Sequence, residues 1–109
     1  MGANILVVDD DPNVVEILTE SLRGKGYNTE SAYDGEEAIE KYDLFKPDLV
    51  VLDIVLPEKS GFEVCDEIRA RDIHRDVPII IISANSIPDS MIKGFRAGAQ
   101  DYIEKPFSL

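Results

Sequence analysis

The sequence predicts an α/β fold in which a parallel sheet of five strands is covered by helices on both faces. Three short, β-branched apolar runs stand out, at residues 5–8, 49–52 and 79–82. Runs that are continuous rather than alternating are typical of strands buried on both faces, as in parallel sheets. Two weaker strands are predicted at 28–32 and 101–104, with helical periodicity in the segments between strands. Such strict alternation indicates right-handed crossovers.

Four helices are predicted between the strands. The first begins at Pro12 after Asp11, because Pro suits the first helical position and an aspartate can accept a hydrogen bond from a helical N–H group that has no partner within the helix. It ends at the Gly-Lys-Gly of residues 24–26. The residues that define the apolar stripes of the four helices are, in order, Val14, Leu18 and Leu22; Ala38, Tyr42 and Phe45; Phe62, Cys65 and Ile68; and Met91 or Ile92, Phe95 and Ala99.

Composition excludes several classes of protein. The 109 residues fit one domain, and 22 acids against 11 bases give a net charge of −11. This balance argues against direct nucleic-acid binding by this chain, since phosphate backbones require clustered Lys and Arg. No apolar stretch approaches the roughly 20 residues that a membrane span needs. A single cysteine, Cys65, excludes an internal disulfide, so we expect a cytoplasmic protein without membrane association.

Polar side chains follow the central apolar runs at the points where the predicted strands end. The first run leads into three successive aspartates, residues 9–11; the third strand ends in Asp53, the fourth in Ser83, and the fifth is followed by Lys105. Ligands of open parallel sheets bind beyond the carboxyl ends of the strands. The sequence therefore predicts a polar pocket built from acids, a hydroxyl and an amine at one edge of the sheet.

The residue types in this pocket indicate metal-assisted phosphoryl chemistry. Two or three carboxylates in one cleft repel one another, so a divalent cation is a natural occupant. Oxygen ligands favour Mg²⁺, with Mn²⁺ as a plausible substitute, since the lone His74 and Cys65 lie elsewhere in the sequence. A carboxylate nucleophile, a metal, the Lys105 ammonium and the Ser83 hydroxyl together suit phosphoryl transfer. We expect Asp11 to act as a helix cap.

The sequence resembles the receiver domains of two-component response regulators, and of chemotaxis regulators in particular. The matching stretches are "ILVVDDDP" (5–12), "PDLVVLDIVLPEKSG" (47–61), "VPIIIISA" (77–84) and "AGAQDYIEKPF" (97–107). They occur in the order and at the spacing of the family over the whole chain. The resemblance implies a flavodoxin-like, doubly wound five-stranded parallel sheet with strand order 2-1-3-4-5.

The resemblance also implies roles for the residues around the predicted metal. Asp53 matches the aspartate that accepts the phosphoryl group. Asp10 matches the acid that binds Mg²⁺ directly, and Asp9 matches its neighbour, which usually acts through water. Val55 would contribute its backbone carbonyl to the metal, so its side chain is free to vary.

A second set of residues matches the parts of the family that respond to phosphorylation. Ser83 matches the switch hydroxyl, and Tyr102 the aromatic residue whose ring turns inward on activation. Lys105 matches the lysine that pairs with the phosphoryl group, and Pro106 the residue that follows it through a cis peptide bond. Every member of the set is present in this sequence.

The implied function is a signalling switch rather than an enzyme acting on other molecules. A sensor histidine kinase, a phosphotransfer protein or a small phosphodonor would phosphorylate Asp53, and the new charge would shift a two-state equilibrium that controls an output domain or a target protein. The rival reading is a Mg²⁺-dependent phosphatase with an aspartyl nucleophile. Such enzymes commonly need an acid two residues later, where this sequence has Val55. A pure protein-interaction module is a further alternative.

The end of the chain departs from the family pattern. Family members follow "KPF" with a fifth helix, whereas this sequence stops at "KPFSL". We therefore expect residues 1–109 to form a receiver domain truncated before its C-terminal helix. Part of the surface of strands 49–52 and 79–82 would then be left open, which would permit self-association through the uncovered face.

Overall fold

The computed structural model describes residues 2–71, 77–83 and 101–104, of which residues 83 and 101–104 are described by their backbone alone. In chain order the elements are β1 (Asn4–Val8), α1 (Pro12–Gly24), β2 (Asn28–Ala32), α2 (Gly35–Phe45), β3 (Leu49–Asp53), α3 (Gly61–Arg71), β4 (Ile79–Ser83) and β5 (Asp101–Glu104). The predicted fourth helix, His74, Lys105 and Pro106 lie outside the described residues.

The five strands form one sheet in the order β2-β1-β3-β4-β5, and every neighbouring pair is parallel. The predicted fold class and strand order are therefore confirmed. In the register of the sheet, Val8 of β1 lies opposite both Ala32 of β2 and Leu52 of β3. The carboxyl ends of the three strands consequently reach the same edge, which places the residues that follow them close together.

Alternation along the strands divides the core between the two faces of the sheet. One face packs against α2 and α3, the other against α1, since successive side chains of a strand point to opposite faces. The first face is formed by Leu6, Val8, Val50, Leu52, Ile79 and Ile81 together with Ala38, Tyr42, Val64, Cys65 and Ile68. The second is formed by Ile5, Val7, Val51 and Ile82 together with Val15 and Leu18. Helices thus cover both faces, as predicted.

The buried stripe of α1 is rotated relative to the predicted one. Val15, Leu18 and Thr19 are buried, whereas Val14 and Leu22 are only partly buried. Thr19 can lie in the core because its hydroxyl donates a hydrogen bond to the Val15 carbonyl at 2.8 Å, which satisfies the donor within the helix itself. The prediction made Val14 the first core residue and missed both Val15 and Thr19.

The predicted assignment of Cys65 to the core is confirmed. Cys65 on α3 is fully buried beside Val64 and Ile68, while the predicted stripe residue Phe62 only packs partly against this cluster. Burial raises the pKa of the Cys65 thiol to about 11, because the thiolate would be poorly solvated there. At neutral pH this side chain is therefore a small apolar group rather than a reactive one.

Side chains of the residues before the helices explain where α1 and α2 begin. The Asp11 carboxylate accepts a hydrogen bond from the Asn13 N–H at 2.9 Å, so the predicted cap is confirmed. At α2, Asp34 accepts from the Glu37 N–H at 2.8 Å, and the Glu37 carboxylate accepts from the Tyr33 N–H at 2.7 Å. These contacts satisfy N–H groups that the first turn of a helix leaves without internal partners.

Exposure on the α1 face of the sheet varies along the strands. Leu49 and Ile80 are half-buried, whereas Val51 and Ile82 are buried. Among the described residues of this face, exposure is therefore higher in the amino-terminal part of β3 and β4, and the expected opening and self-association stay predictions. Among the described helices none is both long and apolar enough to cross a membrane.

Candidate functional site

Three aspartates meet at the carboxyl edge of the sheet. Asp9 and Asp10 follow β1, and Asp53 is the last residue of the neighbouring strand β3. One carboxylate oxygen from each of the three lies within 4.8 Å of the other two. Asp9 and Asp53 are buried, at 0% and 4% exposure, while Asp10 is exposed and closes the group from the solvent side. The structure thus brings together the three acids that the sequence predicted.

The charges of these acids make the cluster suitable for a cation. Two ionised carboxylates about 5 Å apart repel each other by about 3 kcal/mol at an effective dielectric of 20. A divalent cation between them converts this repulsion into attraction, and hard oxygen donors are the ligands that Mg²⁺ and Mn²⁺ prefer. The donor set therefore fits a divalent metal ion. Three carboxylates also leave coordination positions for water or for the oxygens of a phosphoryl group.

Backbone groups on either side hold Asp9 in place. Its carboxylate accepts a hydrogen bond from the Asp11 N–H at 2.9 Å, and its own N–H donates to the Ala32 carbonyl at 3.1 Å. The second bond continues the pairing of β1 and β2 by one residue. The first ties the Asp9 carboxylate to the residue that caps α1. Asp11 itself lies outside the acidic cluster, as predicted.

The backbone that carries Asp53 is held equally firmly. The Ile54 N–H donates to the Ile82 carbonyl of β4 at 3.1 Å, and the Ile54 carbonyl accepts from the Gly61 N–H at 2.8 Å. The Val55 N–H lies 3.3 Å from a carboxylate oxygen of Asp53, to which it donates a hydrogen bond. The Val55 side chain is 64% exposed and adds little to the core. That its carbonyl joins the metal ligands stays a prediction.

The loop between β3 and α3 contains a tight turn that the sequence did not reveal. The Lys59 N–H donates to the Pro57 carbonyl at 2.7 Å, and Glu58 between them has a left-handed φ of 67°. This three-residue pattern is that of a γ-turn, which is rare and strained for a residue with a side chain. Glutamate carries no preference for this conformation, so no sequence signal indicated the turn.

Lys59 lies at the junction of the loop with α2 and α3. Its ammonium forms an ion pair with Glu67 on α3, and this hydrogen bond raises the pKa of the lysine. Its aliphatic stem lies so close to Gly35 that a Cβ on Gly35 would come within 3.0 Å of it. The loop is thereby fastened to two helices. Sequence reasoning missed this pair. Lys59 lies in the loop before α3 and Glu67 lies eight residues later within α3, so helical periodicity does not indicate that the two side chains meet.

The predicted switch residues are placed only by their backbone. Ser83 ends β4, the strand beside β3, and pairs with Glu104 of β5. It therefore lies at the same edge of the sheet as Asp53, which pairs with Ile82. Tyr102 lies within β5 opposite Ile81. Lys105 follows Glu104 and lies outside the described residues, so its predicted contact with the site stays a prediction.

A parallel sheet of order 2-1-3-4-5 with an acidic cluster at its carboxyl edge defines a protein of the CheY-like receiver class. The sequence matches the response regulator receiver domain family over residues 5–109. The chain belongs to this family, and the resemblance inferred from the motifs is confirmed.

Similar proteins of known structure and sequence agree with this assignment. Chemotaxis protein CheY4 of Vibrio cholerae is 29% identical, with a TM-score of 0.90 over 99% of this chain and 90% of that protein. The N-terminal domain of a response regulator receiver protein from Methanoculleus marisnigri is 34% identical, with a TM-score of 0.88 over 95% and 85%.

Two curated relatives are longer than this chain. The alkaline phosphatase synthesis transcriptional regulatory protein PhoP of Bacillus subtilis is 42% identical over 99% of this chain and 44% of its own length. The response regulator MprA of Mycobacterium ulcerans is 43% identical over 100% of this chain and 46% of its own length. The chain thus spans less than half the length of these curated relatives.

Proposed function

We propose that this chain is a phosphorylation-dependent signalling switch whose phosphoacceptor is Asp53. The observation that carries the proposal is the buried Asp53 carboxylate at the end of the central strand, within 4.8 Å of the carboxylates of Asp9 and Asp10. A buried carboxylate is costly unless a nearby charge compensates it. A divalent cation would compensate the charge of the Asp53 carboxylate, and phosphoryl transfer would use that carboxylate as the nucleophile.

In the proposed reaction, a carboxylate oxygen of Asp53 attacks phosphorus in a phosphohistidine or in a small donor such as acetyl phosphate. The new bond is an acyl phosphate P–O bond; the P–N or P–O bond of the donor breaks, and imidazole or acetate leaves with the electron pair. Asp9, Asp10 and Asp53, with the Val55 carbonyl, would hold Mg²⁺ or Mn²⁺, which neutralises phosphoryl charge when bound. The Val55 N–H orients the attacking carboxylate.

The response to phosphorylation would involve the neighbouring strands. A phosphoryl group brings about −1.5 to −2 charges to the edge of the sheet. The Ser83 hydroxyl and the Lys105 ammonium are the groups proposed to reorganise around it, and Tyr102 is proposed to turn inward as Ser83 moves. Support for Ser83 comes from its backbone position at the end of β4, beside β3. The outcome is a shift between two conformations with different surfaces.

The proposed partners follow from the family. The phosphodonor would be a sensor histidine kinase or a phosphotransfer protein in the cytoplasm. One relative is named a transcriptional regulatory protein, and this chain matches 44% of its length. We propose that the switch controls transcription through protein regions beyond the receiver domain, while this acidic chain itself does not bind nucleic acid.

Intact-mass spectrometry after incubation with acetyl phosphate and Mg²⁺ tests the proposal. The wild-type chain should gain one base-labile phosphoryl group, and Asp53→Asn should gain none while keeping its circular dichroism spectrum. Asp66→Asn is the matched control, because Asp66 is an exposed acid on α3. Stoichiometric uptake by Asp53→Asn would exclude Asp53 as the acceptor. Continuous phosphate release from assorted esters would instead favour the aspartyl phosphatase, which the apolar Val55 two residues after Asp53 argues against.

A further inference from the structure

Gly61, the first residue of α3, lies against the backbone of Asp53. A Cβ added at Gly61 would lie 2.3 Å from the Asp53 carbonyl oxygen and 2.7 Å from the Ile54 Cα. Both distances are far below van der Waals contact. The obstructing atoms belong to the main chain of the central strand, so they cannot rotate away as a flexible side chain could.

Hydrogen bonds on both sides fix the same peptide segment. The Gly61 N–H donates to the Ile54 carbonyl at 2.8 Å, and the Ile54 N–H donates to the Ile82 carbonyl at 3.1 Å. The end of β3 is therefore clamped between β4 and the start of α3. The next N–H along the chain, that of Val55, donates to the Asp53 carboxylate. A displacement at Gly61 would consequently move the Asp53 backbone, its carboxylate and the amide that orients it.

We propose that Gly61 is a positioning residue for phosphoryl acceptance, because its missing side chain lets α3 begin close enough to fix Asp53 and Val55. This inference rests on the function proposed for Asp53 and deepens it. Within the acidic cluster, the distance between the Asp53 and Asp9 carboxylates depends on where the end of β3 lies. Gly61 would thus set the geometry of metal binding as well as that of the attacking oxygen.

Two other glycines provide matched controls for the same substitution. A Cβ at Gly24, the last residue of α1, would meet nothing within 4 Å. A Cβ at Gly35 would meet side-chain atoms of Lys59 and Val64, at 2.9 Å and 3.0 Å. Among the described glycines only Gly26 has a positive φ, so alanine is compatible with the backbone conformation at all three positions. The three variants therefore compare a new Cβ in open space at Gly24, against side chains at Gly35 and against the main chain at Gly61.

The experiment compares Gly61→Ala with Gly24→Ala and Gly35→Ala in the full chain. It measures the initial rate of phosphoryl uptake from acetyl phosphate, and Mg²⁺ affinity by NMR titration of the Val55 amide. For Gly61→Ala we expect a folded protein with uptake slowed about tenfold or more, since small misplacements of reacting groups cost rates of this order. Mg²⁺ affinity should fall several-fold and the Val55 amide resonance should shift before metal is added. Gly24→Ala should match wild type in both measurements.

Three results would overturn the inference. The first is a folded Gly61→Ala variant whose rate of phosphoryl uptake and whose Mg²⁺ affinity both lie within about twofold of wild type. For comparison, a tenfold change in affinity corresponds to about 1.4 kcal/mol. The second is an equal loss in Gly35→Ala. The third is a Gly61→Ala chain that stays unfolded even with trimethylamine oxide, which favours compact states, since Gly61 would then serve the whole fold. If wild type takes up no phosphoryl group, the proposed function fails, and the Mg²⁺ titration still decides whether Gly61 positions Asp53.

Discussion

The Asp9 carboxylate accepts a hydrogen bond from the backbone N–H of Asp11 at 2.9 Å, while the Asp11 carboxylate caps α1 through the Asn13 N–H. Asp9 and Asp11 thus have separate tasks: Asp9 belongs to the acidic cluster, and Asp11 stabilises a helix. The two tasks are joined through the main chain rather than through side chains. Removal of the Asp11 side chain therefore leaves the bond to Asp9 available.

The first prediction follows from this separation. Asp11→Ala should lower the free energy of unfolding by about 1 kcal/mol, the usual cost of losing a helix N-cap. Mg²⁺ affinity should stay close to that of wild type, because the donor to Asp9 is a backbone group. Denaturant unfolding and isothermal titration measure the two quantities. Asp11→Asn, which keeps a capping oxygen, is the control. A large loss of Mg²⁺ affinity in Asp11→Ala would place Asp11 in the metal site.

The second prediction concerns Asp10, the exposed member of the cluster. Asp10→Ala should weaken Mg²⁺ binding, measured by titration, because it removes one of three carboxylates. In metal-free buffer it should leave stability unchanged or raise it, since one source of repulsion with Asp9 and Asp53 disappears. Asp66→Ala removes an exposed acid from α3 and serves as the control. Unchanged Mg²⁺ affinity in Asp10→Ala would exclude Asp10 from the ligand set.

The meeting of Asp9 and Asp53 could be predicted because parallel strands bring their carboxyl ends to one edge. Apolar runs identified the strands, and an acid directly after the runs at 5–8 and 49–52 marked the edge. The cap at Asp11 was equally legible, since the sequence Asp-Pro before a periodic segment is a helix start. These features depend on short stretches of sequence, and the structure bears them out.

Features that depend on tertiary contact could not be predicted in this way. The Ser60-Gly61 pair at the start of α3 looks like an ordinary helix start, and nothing local shows that Gly61 meets the backbone of Asp53. Thr19 was assigned to no core position because a hydroxyl is polar, although its own helix satisfies it. The doublet Val14-Val15 left the stripe of α1 ambiguous by one residue, which rotates a helix face by about 100°.

The third prediction concerns the strained turn at Glu58, whose φ is 67°. Glu58→Gly should raise the free energy of unfolding by roughly 0.5–1 kcal/mol. A left-handed backbone conformation costs a residue with a Cβ about 1–2 kcal/mol, and glycine avoids this strain. Part of the gain is offset because glycine loses more conformational entropy on folding. Glu58→Ala is the control, since it removes the charge and keeps the Cβ. An equal gain in both variants would assign the effect to charge rather than to the backbone.

The fourth prediction concerns the ion pair between Glu30 of β2 and Lys41 of α2, whose charged atoms lie 2.9 Å apart. The hydrogen bond from Lys41 lowers the pKa of Glu30 below its ordinary value of 4.5. The pair should therefore stabilise the fold above pH 4.5, and this contribution should disappear as the pH falls through the lowered pKa. With Glu30 42% exposed, the gain at neutral pH should stay below about 1 kcal/mol.

Glu30→Gln tests this pair. The free energy of unfolding is measured with denaturant between about pH 3 and pH 7, which lie on either side of the usual pKa of a Glu side chain. The variant should be slightly less stable than wild type at neutral pH, and the difference should vanish in acid. Glu20→Gln, at an exposed position of α1, controls for the change in net charge. A difference between Glu30→Gln and wild type that is constant across this range would show that the ion pair contributes nothing measurable.

The last prediction concerns the lifetime of the phosphoryl group. The Val55 N–H donates a hydrogen bond to the Asp53 carboxylate, and Val55 is 64% exposed, so we expect residue 55 to lie beside the path by which water would reach an acyl phosphate on Asp53. A valine cannot accept a hydrogen bond from that water or orient it. Val55→Asn should therefore shorten the half-life of the phosphorylated chain by roughly tenfold, which is less than the roughly 10²–10⁴-fold that a fully positioned general acid or base contributes. Decay of the adduct mass after removal of the donor measures this. Val55→Leu, which keeps an apolar side chain, should decay at nearly the wild-type rate, and a longer half-life in Val55→Asn would show that water approaches Asp53 from another side.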